Sequence, residues 1–219
     1  MSEIIQYMTT HGVPELSLVF FLMLPVAVTI ITFARQMLGI KAFGIYIPLI
    51  VTFAFLATGI KYGVFIFLIV LIVGTISRFI LKKSHLLYIP KIALGLIVIT
   101  ISIYILFAAA IYFDKNGFIK VSVFPILILI TLSEKFIATQ IRRSNKMAII
   151  MTLETLILSI VCYYTITWQI IQDFALSYPL VVIGATILIN ILLGRWTGLR
   201  LTEYFRFKEV TEHIKLPKN

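Results

Sequence analysis

Apolar residues run along this chain in long stretches that are interrupted only by short polar or turn-forming segments. Seven of these stretches are close in length to the about 20 residues with which a helix crosses the hydrocarbon core of a bilayer. The pattern predicts an all-α integral membrane protein with seven transmembrane helices. The predicted spans are Leu16–Ala34, Phe43–Gly59, Tyr62–Leu81, Ile92–Phe113, Val121–Ala138, Met147–Trp168 and Ala175–Gly194.

Composition agrees with this fold class. Apolar residues make up 61% of the chain and charged residues only 13%, whereas the charged share of a soluble domain is about 25%. The mean hydropathy is +1.08. The second and fifth spans are the shortest, and each has a proline near its start, Pro48 and Pro125. An arrangement of six spans and one re-entrant segment therefore stays open beside the seven-span prediction.

The basic residues are distributed unevenly between the two predicted sides of the membrane. When the connections are assigned alternately, sixteen of the 19 Lys and Arg residues fall on one side. Only Lys61, Lys115 and Lys120 fall on the other. Short cytoplasmic loops carry an excess of Lys and Arg, so the N-terminus is predicted outside and the C-terminus in the cytoplasm. An even number of spans would destroy the asymmetry.

The formal net charge of +10 follows from that topology and predicts attraction to anionic lipid headgroups. Nucleic acid is not predicted as a partner, because the aromatic residues lie in the spans and are not interleaved with a basic patch. The sequence has no Gly-x-Ser-x-Gly motif and no glycine-rich phosphate loop. His11, His85 and His213 lie too far apart in depth to share a metal ion. We therefore predict no catalytic residue, no metal site and no cofactor.

Three regions are predicted along the chain. Residues 1–15 form a short extracytoplasmic N-terminus, residues 16–194 the transmembrane domain, and residues 195–219 a basic cytoplasmic tail. Leu201, Tyr204 and Phe205 can share one face of a tail helix that basic residues flank. Such a helix lies in the headgroup layer or docks a cytoplasmic partner, and both interpretations stay open.

A weak internal repeat is visible around the two prolines. Residues 44–51 align with residues 121–128 at a constant offset of 77, which superimposes Pro48 on Pro125. Spans one to three would then correspond to spans four to six, inserted in the opposite direction, with one helix left over. A 3+3 inverted repeat of this kind is typical of transporters. Chance recurrence of aliphatic residues around a proline is the alternative.

Four polar residues are predicted at similar depth in the cytoplasmic half of the spans. These are Arg35, Glu134, Glu154 and Asn190. An ionisable side chain at the centre of a span costs about 2.5 to 3.5 kcal/mol on insertion scales and is a functional candidate by default. The four residues could line a pocket for an anionic or zwitterionic substrate or for a proton. They could equally join helices, at about 0.6 kcal/mol per contact.

Three segments resemble a known family. They are Thr32–Pro48 (TFARQMLGIKAFGIYIP), Ser133–Phe136 (SEKF) and Asn190–Phe207 (NILLGRWTGLRLTEYFRF). All three resemble the seven-transmembrane domain that many bacteria carry fused to an inactive transglutaminase-like domain. In that family the soluble domain precedes the spans and lies outside the cytoplasm, which agrees with the charge pattern. Here only about fifteen residues precede the first span, so that domain is expected to be missing or encoded separately.

The resemblance implies a role beside other proteins, since members of this family are associated with ATP-grasp peptide ligases. The spacing of Gly39, Gly44 and Pro48 is also similar to that of the PgsC/CapC membrane subunit of poly-gamma-glutamate synthesis. That subunit too works next to a ligase. The resemblance therefore implies two partners, a cytoplasmic ATP-grasp ligase and an extracytoplasmic transglutaminase-like protein.

We expect a non-enzymatic subunit of a prokaryotic cytoplasmic membrane, which recruits such a ligase for the synthesis or export of a peptide or amino-acid polymer. A small secondary transporter with Glu154 as its proton carrier is the alternative, and a purely structural anchor is the third. The sequence leaves the oligomeric state open. The residues expected to bind the partner or to shape the fold are Gln36, Gly39, Lys41, Gly44, Pro48, Pro125, Arg195, Trp196, Gly198, Arg200 and Arg206.

Overall fold

The computed structural model describes residues 3–82, 87–113, 123–142 and 145–195, and all regular structure in these ranges is helical. A π-helical segment, Ala34–Leu38, continues the second helix. The α-helices in the described ranges are α1 (Glu3–Thr10), α2 (Glu15–Phe33), α3 (Tyr46–Thr58), α4 (Ile60–Lys82), α5 (Tyr88–Tyr112), α6 (Val123–Arg142), α7 (Asn145–Thr167), α8 (Gln169–Ser177) and α9 (Pro179–Arg195).

The described ranges contain five helices that are long and apolar enough to cross a membrane, namely α2 with its π-helical end, α4, α5, α6 and α7. The pair α8 and α9 passes the same test together but is bent by 105° between the two helices. The apolar helix α3 is shorter, with 13 residues. Apart from most of α8, these elements overlap the seven predicted segments, and the all-α membrane fold is confirmed.

The chain divides into two compact units. The terminal unit consists of Met1–Ile45 and Tyr164–Asn219, and in its described part α2 packs against α8 and α9. The central unit consists of Tyr46–Tyr163. In it, α6 packs against α3, α4 and α5, and α4 packs against α5.

Buried side chains follow helical periodicity in each unit. In the terminal unit Met23, Ala27 and Ile31 are fully buried at intervals of four, which is one face of α2. In the central unit the rings of Phe55 and Phe67 meet edge to face, with centroids 6.3 Å apart. This is the geometry that aromatic pairs prefer, and it fixes α3 against α4.

The helix α3 is shorter than the predicted second span, by three residues at its start and one at its end, and glycine is the reason. Gly44 has a φ of 79° and its N–H bonds to the carbonyl of Ala42, so the helix cannot begin before Tyr46. Gly59 has a φ of 76° and ends it after Thr58. Positive φ is a conformation in which glycine is the default residue and which no helix interior contains.

The start of the seventh span was also predicted incorrectly. The sequence placed a break at residues 169–173 and a helix from Ala175, but the structure forms α8 through this region and breaks at Tyr178. Tyr178 has φ −130° and ψ 60°, outside the α region. A residue before a proline is disfavoured in that region by the proline ring. Pro179 therefore sets the boundary, and it begins α9.

Candidate functional site

A tight corner follows α2 in the terminal unit. Residues 34–38 are π-helical, a form that is frequent at functional sites, and Gly39 ends them with a φ of 79°. Gly44 has the same φ, and a Cβ placed on it would lie 4.0 Å from Nη1 of Arg35. The guanidinium of Arg35 thus extends to the far end of the corner. Both glycines adopt a backbone conformation that L side chains rarely take.

The other predicted corner residues differ in exposure. Gln36 is half-buried, Gly39 is buried and Lys41 is exposed. Pro48 belongs to the central unit, where it is the buried third residue of α3. Arg195 ends α9 and is exposed. The predicted tail residues Trp196, Gly198, Arg200 and Arg206 lie outside the described residues.

Asn190 makes the side-chain contact that joins α9 to α2 in the terminal unit. Its Nδ2 donates to Oγ1 of Thr29 at 2.7 Å and lies 2.8 Å from the carbonyl of Thr186. Thr29 is buried, and its hydroxyl donates to the carbonyl of Pro25 at 2.7 Å. The amide is therefore held in an oriented network between two spans.

The two glutamates lie in the central unit. Glu134 of α6 and Glu154 of α7 are both half-buried. Arg35 and Asn190 belong to the terminal unit, so the cluster of four polar residues stays a prediction.

The central unit also contains a polar cluster between α4 and α6. The sequence did not predict it. Gln140 of α6 is only 2% exposed, and its Nε2 donates to Oγ1 of Thr75 at 3.3 Å. Nη2 of Arg78 donates to the main-chain carbonyl of Gln140 at 2.8 Å. A guanidinium, an amide and a hydroxyl thus converge between two apolar helices.

Three buried side-chain atoms in the described part of this unit have no hydrogen-bond partner there. They are Oγ of Ser77, Oε1 of Gln140 and Oγ1 of Thr152. A Cβ on Gly95 of α5 would lie 3.6 Å from the Ser77 hydroxyl, so this hydroxyl faces α5. Leaving such a group unsatisfied costs about 1 to 3 kcal/mol. A hydrogen-bonding group placed next to one of these atoms would remove this cost.

Helical periodicity could have identified Gln140. The sequence analysis assigned it to the connection after the fifth span, because polar residues begin there. In the structure α6 continues to Arg142. Ser133, Phe136, Ile137 and Gln140 are all buried, and they occupy positions i, i+3, i+4 and i+7 of one helix face. The spacing of these residues therefore predicts that Gln140 points toward the interior of the unit.

Two buried hydroxyls converge on the carbonyl of Pro48 within the central unit. Thr52 donates to it at 2.8 Å, and Oγ of Ser159 in α7 lies 2.9 Å from it. Pro48 is near the start of α3, where its missing N–H costs no helical bond. Pro125 is likewise the buried third residue of its helix, α6. The helices of the two prolines pack on each other.

Within the described ranges, no three His, Cys, Asp or Glu side chains lie close enough together to hold a metal ion. The single cysteine of the chain, Cys162, is buried and forms no disulfide.

Comparison with known protein families gives a match over most of the chain. A family described as seven transmembrane helices usually fused to an inactive transglutaminase matches residues 13–211. No curated protein and no solved structure matches the chain. The matched range includes the first corner, the polar cluster of the central unit and Asn190.

Proposed function

Because the chain belongs to the family of seven-transmembrane domains that are usually fused to an inactive transglutaminase, we propose that it is a non-enzymatic membrane subunit. It recruits a cytoplasmic ATP-grasp-type peptide ligase and works with an extracytoplasmic transglutaminase-like protein. The complex synthesises or exports a peptide or an amino-acid polymer. The family match carries this proposal, since an inactive fused domain points to binding and not to catalysis.

The charge distribution supports a partner on one side of the membrane. Sixteen of the 19 basic residues lie on the side that the positive-inside rule assigns to the cytoplasm. Lys41 and Arg195 are exposed in the terminal unit. An acidic surface on the ligase would be attracted to such residues, and the association would weaken as salt is added.

Co-purification tests this function. The full chain and a chain truncated after Gly194 are purified in detergent from the native host, and the retained proteins are identified. We expect the full chain to retain a ligase-like partner and the truncated chain to lose most of it. Recovery of neither a ligase-like nor a transglutaminase-like protein with the full chain contradicts the proposal.

Charge reversal provides a matched control. Lys41→Glu combined with Arg195→Glu is compared with Lys61→Glu, which changes a basic residue on the opposite predicted side. The double variant is expected to lose the ligase, and the Lys61 variant to retain it. Equal retention by both variants excludes the basic face as the docking surface.

Transport is a second candidate, and a discontinuous span favours it. The 105° bend between α8 and α9 and the short helix α3 are broken elements of the kind that form binding sites in secondary transporters. In this function Glu154 carries the coupling proton. Proton-coupled uptake into proteoliposomes that Glu154→Gln abolishes and Glu15→Gln preserves would establish it. The absence of uptake for any tested peptide or amino acid contradicts it.

The proposed location is the cytoplasmic membrane of a prokaryote. Residues 1–15 lie outside, residues 16–194 form the transmembrane domain, and residues 195–219 form a cytoplasmic tail. Reporter fusions test this topology. Alkaline phosphatase is expected to be active when it is joined before Glu15, and a fluorescent protein to be bright when it is joined after Asn219. The reverse pattern contradicts the topology.

A further inference from the structure

An open apolar groove of about 400 Å³ runs between α3 and α6 in the central unit. Ile47 and Ile50 of α3 line one wall, and Phe124 and Leu127 of α6 line the other. Thr131 and Lys135 continue the α6 wall. Both helices lie in the predicted transmembrane part of the chain, where lipid can occupy an open groove.

The groove offers a ligand one strong polar contact. The hydroxyl of Thr131 already donates to the carbonyl of Leu127 at 2.8 Å. Lys135 is exposed, and within the part of the chain that the structure describes its ammonium makes no hydrogen bond or ion pair. The matching ligand therefore has an apolar body and a single anionic group.

The position of Lys135 suits a headgroup contact. The helix continues from Lys135 to Arg142, a rise of about 10 Å. A lysine at this depth extends its four-carbon stem along apolar surface and brings its ammonium toward the interface. A charge without a counter-ion at the edge of the hydrocarbon region is costly, so an anion that pairs with the ammonium there stabilises the folded protein.

The groove is long enough for one acyl chain. From Phe124 to Lys135 the helix rises about 16 Å, close to the about 15 Å of half the hydrocarbon core, which is the depth that the chains of one lipid fill. An entirely apolar partner helix in the groove would leave the ammonium of Lys135 without an anion. A lipid places its phosphate at the charged end and its hydrocarbon chain along the remaining length.

We propose that this groove binds an anionic phospholipid, with one acyl chain between α3 and α6 and the phosphate paired with Lys135. This site is independent of the proposed recruitment of a ligase, because none of its residues belongs to the terminal unit.

Native mass spectrometry of the delipidated full chain tests the site. Phosphatidylglycerol and phosphatidylcholine are titrated separately. We expect the first phosphatidylglycerol to bind more tightly than phosphatidylcholine. Lys135→Gln is expected to weaken phosphatidylglycerol binding about fivefold, the effect of one basic residue at an anionic surface. Lys135→Arg retains the affinity, and Lys61→Gln, which removes an exposed lysine elsewhere in the unit, also retains it.

A second pair of variants tests the groove itself. Thr131→Trp fills the groove and is expected to displace the acyl chain. Thr100→Trp is the control, because Thr100 is also exposed and donates to the carbonyl four residues earlier, at 2.9 Å. Its phosphatidylglycerol affinity is expected to be unchanged. Both positions are exposed, so the added rings do not have to enter a packed core.

Several outcomes overturn the proposal. They are equal affinity for the two lipids, unchanged phosphatidylglycerol affinity in Lys135→Gln or in Thr131→Trp, and an equal loss of affinity in Thr100→Trp. Displacement of phosphatidylglycerol by millimolar inorganic phosphate also overturns it, because a site for a free anion does not need the acyl chain.

Discussion

The guanidinium of Arg78 in α4 donates from Nη2 to the main-chain carbonyl of Gln140, 62 residues later, at 2.8 Å. The bond joins α4 to α6, which pack against each other in the central unit. Truncation of the side chain removes a charge-assisted bond and leaves the carbonyl with one donor fewer. Arg78→Met is therefore expected to destabilise the protein by about 1 to 2 kcal/mol, measured as a lower melting temperature in detergent. A melting temperature at or above that of the parent contradicts this role.

Gln140→Leu is expected to behave differently. The amide donates one bond, to Thr75, but Oε1 is buried without a partner among the described residues. Leucine has a similar volume and removes that cost, so a change within about 1 kcal/mol of the parent, of either sign, is expected. A loss as large as that of Arg78→Met would show that the amide is fully satisfied in the membrane.

The contact between Asn190 and Thr29 predicts coupling between the first and last spans. Asn190→Leu, Thr29→Val and the double variant form a cycle that isolates the 2.7 Å bond. Interhelical bonds of this kind contribute about 0.6 kcal/mol and at most about 1.7, so a coupling energy in this range is expected from unfolding in mixed micelles. A coupling energy near zero means that the bond contributes nothing to stability.

Thr52 and Ser159 share the carbonyl of Pro48, so we expect their substitutions to have non-additive effects on stability. Ser159→Ala alone still leaves Thr52 as a donor to that carbonyl, and Thr52→Val alone leaves Ser159. The double variant removes both buried hydroxyls, and its destabilisation is expected to exceed the sum of the two single changes by about 0.5 kcal/mol or more. Thr100→Val is the control, since its exposed hydroxyl bonds only within its own helix. Additivity in thermal unfolding contradicts the shared-acceptor interpretation.

Substitution of glycine by alanine is expected to lower the stability of the protein at Gly63 but not at Gly184. A Cβ on Gly63 would lie 2.5 Å from Oγ1 of Thr58 and 2.6 Å from Cδ1 of Phe55, which is fully buried and cannot move away. Gly63→Ala is expected to cost about 1 to 3 kcal/mol. A Cβ on Gly184 meets no atom within 4 Å, so Gly184→Ala is expected to be neutral or to stabilise α9 by up to about 1 kcal/mol. Melting temperatures of the two variants decide this prediction.

The apolar stretches predicted the helices well because a span must satisfy its own backbone and needs about 20 apolar residues. Their ends were less predictable. Gly44 and Gly59 occupy positive φ, and Pro179 displaces Tyr178 from the helical region. Hydropathy scores these residues by polarity, whereas their effect comes from backbone sterics.

The candidate site was predictable only in part. Depth along a span identified Asn190 as an inward polar residue, but its partner Thr29 is 161 positions away in sequence. Periodicity gives the face of a helix and not the neighbour that covers it. Gln140 was assigned to a connection because of its polarity, and Arg78 was placed near the end of the third span and counted with the cytoplasmic basic residues. Burial of Gln140 follows from the spacing of the buried residues on α6.

Most hydroxyls in the spans bond to the carbonyl four residues earlier in their own helix, as Thr100, Thr131 and Thr155 do. Such helices enter the bilayer with these hydroxyls already hydrogen-bonded. Each helix can therefore enter the lipid in turn as the chain is synthesised. The bond between Asn190 and Thr29 cannot form in this way, because it joins α9 to α2 and its two residues are 161 positions apart. The first span therefore lacks this contact until α9 has been synthesised.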